Sequence, residues 1–148
     1  MTSLHLAGPD DLARLVPLAA AFHAETGIDM DDETRRAALS PLLDGVPHGA
    51  VYLIGPARAP IGYIVLGFGW SVRLGGLRAE IDEFYIRASV RGRGIGAEVL
   101  STLPRRLAQA GVRALHLPLR QGDEAARRLC ARQRFEVRDD MVLTTRPL

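Results

Sequence analysis

Residues 79–97, Ala-Glu-Ile-Asp-Glu-Phe-Tyr-Ile-Arg-Ala-Ser-Val-Arg-Gly-Arg-Gly-Ile-Gly-Ala, run an acid-bearing β pattern into an arginine and glycine loop and then into a helix start. Glycine at 92, 94 and 96 lets backbone N–H groups approach a ligand with no Cβ in the way. A helix beginning near Gly94 adds unpaired N–H donors and the positive end of its dipole, and together these favour a phosphate or pyrophosphate. Arg91 and Arg93 add positive charge beside them. The stretch points to an α/β arrangement in which one strand delivers an anion-binding loop to a helix N-terminus.

Glycine-rich phosphate loops are told apart by their neighbours. A Gly-x-x-x-x-Gly-Lys-Ser/Thr loop is excluded, because the chain has no lysine. Gly92-x-Gly94-x-x-Ala97 nearly fits a dinucleotide loop, but that loop needs an acidic residue about twenty positions on, at the end of the next strand. Here the next strand pattern, 112–119, ends in Arg120. What remains is Arg-x-x-Gly-x-Gly at Arg91, Gly94 and Gly96, and in this the chain resembles the GNAT N-acetyltransferase family. Ile81-Asp82-Glu83-Phe84-Tyr85-Ile86 is similar to that family's central strand. Asp123-x-x-Ala126-x-x-x-Cys130-x-x-x-Arg134-Phe135 is similar to its Asn-x-x-Ala-x-x-x-Tyr-x-x-x-Gly-Phe segment.

The resemblance implies an acyltransferase that uses acetyl-CoA as cosubstrate and no metal, and that acetylates a primary amine of a small molecule or a protein by direct attack. It places the pyrophosphate on Arg91, Gly92, Arg93, Gly94, Ile95, Gly96 and Ala97. Phe84, Tyr85, Ile86, Asp123, Ala126 and Cys130 become further cofactor-side positions, with a backbone N–H near Ile86 as oxyanion donor. A homodimer is the assembly it implies. A module that only binds or senses CoA is the second reading, and a nucleotide-binding oxidoreductase the third.

Amine attack needs a neutral amine, so a base is sought near the loop. Glu80, Asp82 and Glu83 are the candidates, as base or as amine-binding charges. Regular alternation puts Glu80 and Asp82 on one face of the strand and Glu83 on the other, and a bulge, which the resembling family has here, would break that parity. Where that family has a tyrosine acid, this chain has Cys130. The thiol can be read as a buried packing group or as a proton donor, and packing is the commoner role.

The chain of 148 residues suits one domain, 1–148, with a single core. Residues 1–86 hold 6 arginines against 11 acidic residues, and residues 87–148 hold 13 against 6. The arginines are dispersed along helices rather than interleaved with aromatics, which argues against nucleic acid as a partner. The polarity suits an anionic cosubstrate in one half and a cationic acceptor in the other. No apolar run reaches the roughly 18 residues of a membrane span, and the N-terminus carries no charged leader, so a cytoplasmic location without membrane contact is expected. One cysteine and four scattered histidines give no metal-site spacing.

In order, the patterns predict a short strand at 3–7, a helix from Pro9 to about Glu25 stopped by Gly27, and a second helix opened by Asp31 with Ala37, Leu42 and Leu43 inward. A hairpin follows at 50–54 and 60–68, then a flexible glycine loop into the central strand. A helix with Ile95, Val99, Leu103 and Leu107 buried, a parallel strand and a helix capped by Asp123 come next. Terminal strands at 135–138 and 141–145 complete the count. The expected fold is α/β, a mixed sheet of six to seven strands flanked by about four helices.

Overall fold

The computed structural model describes residues 2–148. Packing divides the chain into two compact units, one ending at Pro118 and one comprising Leu119–Leu148. The first unit contains strands β1 (Leu4–Leu6), β2 (Gly49–Ile54), β3 (Gly62–Ser71), β4 (Gly76–Ile86) and β5 (Val112–His116), and helices α1 (Leu12–Thr26), α2 (Asp32–Leu43) and α3 (Ile95–Gln109). The second contains α4 (Glu124–Arg132). The five strands lie in sequence order, β1 to β4 antiparallel and β5 parallel to β4. The β4–α3–β5 crossover is the one parallel connection among the described residues.

Local chemistry fixes the helix ends. Gly27 takes the left-handed φ of 74° that closes α1, and Ile28 N–H bonds back to the His23 carbonyl at 2.8 Å. Asp31 caps α2 by accepting from Thr34 N–H at 2.8 Å. Between sheet and helices α1 and α2 lies a core of Ala7, Leu15, Leu18, Ala19, Leu39, Leu43, Val51, Leu53, Tyr63, Val65 and Tyr85. Each large apolar side chain buried there contributes about 1.5–3 kcal/mol relative to exposure. On α3, Val99, Leu100, Leu103 and Leu107 are buried, while Ile95 is only partly covered.

Four expectations are corrected. The sheet has five strands, because 135–138 and 141–145 make no ladder: Arg134 turns the chain at φ 66°, and Val137, Met141, Val142 and Leu143 stay exposed. The strand expected to end at Phe68 runs on through Gly69 and Trp70 to Ser71, so the loop begins later than expected. Glycine is needed beside β3, since a Cβ at Gly49 would collide with the Leu66 carbonyl oxygen. Ala37 is exposed, and the inward stripe of α2 is Arg35, Leu39 and Leu43 with Leu42 partly buried. Trp70, at the end of β3, for which a tryptophan near a strand end leads one to expect packing, is two-thirds exposed.

Candidate active site

At the loop, Gly92 and Gly94 have φ of 78° and 79°, a region that other residues enter only with strain. Nothing lies within 4 Å of where a Cβ would project from either. Gly94 is the N-cap of α3, no side chain caps it, and the first helical bond runs from Glu98 N–H to the Gly94 carbonyl at 3.0 Å. The N–H groups of Ile95, Gly96 and Ala97 therefore have no helical acceptor. Arg93 is exposed and makes no ion pair among the described residues. Three free donors, a dipole and one free guanidinium fit a pyrophosphate.

Arg91 is placed differently from Arg93. Its Nη2 meets Glu25 of α1 at 2.7 Å, its Nε donates to the Ile86 carbonyl at 2.8 Å, and its guanidinium lies 5.5 Å from the Tyr85 ring centre. The bond to Glu25 holds the arginine's pKa above its ordinary value. Arg91 thus ties the loop to α1 and β4 through an exposed ion pair, while Arg93 beside it has no such partner.

Six residues before β4 ends, its pairing with β5 stops. β4 pairs with β5 only from Leu77 to Glu80, yet it stays paired to β3 out to Ile86. From Ile81 to Ile86, including Phe84 and Tyr85, the edge toward β5 carries backbone groups without a sheet partner. Such an edge can accept an extended ligand through main-chain hydrogen bonds. The register also slips here: Leu66 faces Ile81 and Val65 faces Glu83, so Asp82 is an extra residue in β4. The bulge overturns regular alternation. Glu80, opposite Gly67, and Glu83, opposite Val65, share the face of Tyr63 and Tyr85.

The three acids have unlike surroundings. Glu83 is held on both oxygens: Tyr63 Oη donates to Oε1 at 2.8 Å, and His23 Nε2 lies 2.7 Å from Oε2. Burial, reinforced by the Glu83 charge, pushes the Tyr63 hydroxyl far above its ordinary range, so Tyr63 remains a donor. Behind His23, Arg35 Nε donates to Nδ1 at 3.0 Å, and the same guanidinium binds Asp32 and the Met30 carbonyl. Glu80 is exposed. Asp82 is exposed as a residue and makes no ion pair, but partial desolvation, then the charges of Glu83 and Glu80, raise its carboxyl pKa. A raised carboxyl on an open strand edge is suited to proton transfer.

His23, Arg35 and Tyr63 were not legible as site residues in the sequence. The available signal was His23 itself, a polar residue on the apolar stripe of α1 and 96% buried, which demands a partner.

In the second unit, Asp123 accepts from Ala126 N–H at 3.1 Å and so serves as a helix cap. Cys130 is buried, and burial, then the Asp123 charge, raises its thiol pKa. That makes it a poorer acid and favours packing. With the thiol as packing, Cys130→Ala is expected to cost about 1–2 kcal/mol of stability and to keep acetyl-transfer turnover near the parent's, compared by chemical denaturation and steady-state rates. A stable variant with negligible turnover would make the thiol an acid.

The chain matches the model of the acetyltransferase (GNAT) family over residues 18–135. An integron cassette protein, HFX_CASS3, from the mobile metagenome of Cole Harbour Salt Marsh is 33% identical, with a TM-score of 0.83 over 97% of this chain and 89% of that one. A ribosomal-protein-alanine N-acetyltransferase from Brucella melitensis biovar Abortus 2308 shares the fold at 17% identity and a TM-score of 0.77, over 99% of each chain. So does AAC(6')-Iy, solved with the bisubstrate analogue CoA-S-monomethyl-acetylneamine, at 12% identity and a TM-score of 0.81 over 100% of this chain and 99% of that one. No curated protein matches the chain. No described helix is long and apolar enough to cross a membrane, and no described group of His, Cys, Asp and Glu could hold a metal ion. Family model, sheet topology and glycine loop agree, and the chain belongs to the GNAT acetyltransferase family.

Proposed function

We propose that this chain transfers the acetyl group of acetyl-CoA to a primary amine, and that residues 1–148 act as one catalytic domain. The observation that carries the proposal is the bulge at Asp82, which sits where β4 leaves β5, on the strand that leads into the free N–H groups of α3. The family model supports the domain assignment, since residues 18–135 span both compact units.

In this scheme acetyl-CoA supplies a thioester whose carbonyl accepts the amine, forming the C–N bond as the C–S bond breaks. Ile95, Gly96, Ala97 and Arg93 hold the pyrophosphate. Asp82 takes the proton from the attacking nitrogen, and Glu80 attracts the cationic form of the amine on approach. The edge from Ile81 to Ile86 that β5 leaves unpaired, its Ile86 carbonyl taken by Arg91 Nε, aligns the extended arm of the cosubstrate, and an N–H near Ile86 faces the developing oxyanion. The coenzyme thiol leaves as a thiolate and gains its proton from water, because Cys130 is a weak acid.

The acceptor is taken to be cationic, in keeping with the acidic first half of the chain. The test is a panel of amino acids, polyamines, aminoglycosides and peptide N-termini incubated with acetyl-CoA and read by release of free thiol. Thiol release that needs both an amine and the protein is expected. Binding of acetyl-CoA without turnover of any amine would favour a binding module. A homodimer in the cytoplasm is part of the same proposal, supported by family resemblance and composition, and a single-chain mass by sedimentation equilibrium would remove the dimer.

A further inference from the structure

A buried chain of side chains crosses from helices α1 and α2 to the acid cluster, and its polarity can be assigned atom by atom. Arg35, 95% buried, can only donate, so the Nδ1 of His23 that receives its Nε–H must be the bare, accepting nitrogen. The ring proton then sits on Nε2, which donates to Glu83 Oε2. Tyr63 donates to the other carboxylate oxygen. Asp32 and the Met30 carbonyl absorb the remaining guanidinium donors of Arg35. Each of the three guanidinium nitrogens of Arg35 has an acceptor, and the direction is fixed from Arg35 through His23 to Glu83.

Packing alone does not require this arrangement. A buried guanidinium and a buried imidazole are costly unless fully paired, and replacing such a network with apolar groups is often neutral or stabilising. The network ends on Glu83, next to Asp82 in sequence and opposite Val65 just past the bulge. We propose that His23 and Arg35 are positioning residues for the transfer reaction: Arg35 fixes the tautomer of His23, and His23 with Tyr63 fixes Glu83 beside Asp82. Helices α1 and α2 thereby set the charge that the proton-accepting group meets on β4. The groups that face Glu83 are His23 from α1, Tyr63 from β3 and its own neighbours Asp82 and Glu80, with Arg35 and Asp32 one bond further back. The inference rests on the acetyl-transfer proposal for its kinetic readout and is independent of it for its spectroscopic one.

The first measurement is the ¹⁵N spectrum of His23 in the unaltered protein near pH 7. A protonated Nε2 and a bare Nδ1 are expected, and a ring with its proton on Nδ1 overturns the proposal whether or not the protein acetylates anything. The second compares His23→Gln with His23→Phe. Glutamine can donate to Glu83 and accept from Arg35 in the same directions, whereas phenylalanine fills the space and does neither. His23→Phe is expected to lose about 10²-fold in kcat, since small misplacements of catalytic groups cost that much. Acetyl-CoA should still raise its Tm, and His23→Gln should recover most of the rate. A Phe variant as active as the parent, or a Gln variant as impaired as the Phe variant, would show that the ring only packs. If Asp82→Asn proves fully active, the base assignment fails, while the order of Gln over Phe still judges His23.

Discussion

Asp82→Asn loses about 10²–10⁴-fold in turnover, the usual contribution of a general base, while acetyl-CoA continues to raise its melting temperature. The expectation follows from the contrast among the three acids. Glu83 already accepts from Tyr63 and His23, and Glu80 is exposed in the regular ladder opposite Gly67, whereas Asp82 occupies the bulge with a partly desolvated carboxyl. The same substitution has a signed effect on stability. Because the folded-state pKa of Asp82 lies above its ordinary 3.8, the group's favourable contribution is complete below that value and is lost as pH rises through the raised one. At pH 7 the ionised aspartate is therefore a net liability to the fold, and Asp82→Asn should melt higher than the parent. The difference should vanish below about pH 3.8, where both folded and unfolded aspartate are protonated. Activity of the parent should fall on the acid side as Asp82 takes up its proton. An Asp82→Asn protein within a factor of about two of the parent would move the base to Glu80 or to water.

Gly94→Val should abolish the thermal shift caused by acetyl-CoA. A ligand of the native state stabilises it by RT ln(1 + [L]/Kd), so at a hundredfold excess over Kd the parent gains about 2.7 kcal/mol. The variant loses this in two ways. Valine at φ 79° is strained by roughly 1–2 kcal/mol, which pulls the N-cap of α3 out of shape. Its branches also fill space beside the loop that is empty around Gly94, which the proposed pyrophosphate site needs. Melting curves with and without acetyl-CoA check the effect, with the unliganded curve accounting for strain. An unchanged shift in a folded variant would place the pyrophosphate elsewhere.

The parts of the site that are contiguous in the chain were legible, and the parts assembled across it were not. Gly92, Gly94 and the donors of α3 follow each other within a few residues, so residue type and spacing alone describe an anion site. The bulge escaped exact placement because strand alternation assumes one residue opposite one residue, and only the β3 register shows that Ile81 and Glu83 have consecutive partners. The Arg35–His23–Glu83–Tyr63 run joins two helices and two strands, with His23 and Glu83 60 positions apart in sequence, and no local pattern encodes it. Arg35 was hidden by its charge, since a helix pattern assigns arginine to the solvent face unless a buried partner is known. The terminal segment misled in the opposite sense: Met141-Val142-Leu143 has strand-forming residues, but a strand exists only where another backbone pairs with it.

The register of β4 separates the residue the fold requires from the residue the chemistry requires. With position 82 deleted, Ile81 and Glu83 would follow one another opposite Leu66 and Val65, and the β3–β4 ladder would become regular with every remaining side chain on its present face. A chain lacking residue 82 is therefore expected to keep the pairing partners of Tyr63, Val65 and Leu66 on β4. The proposed proton acceptor is thus an extra residue in a ladder whose pairing does not need it, so the proposed transfer chemistry and the β3–β4 register are separable by one residue.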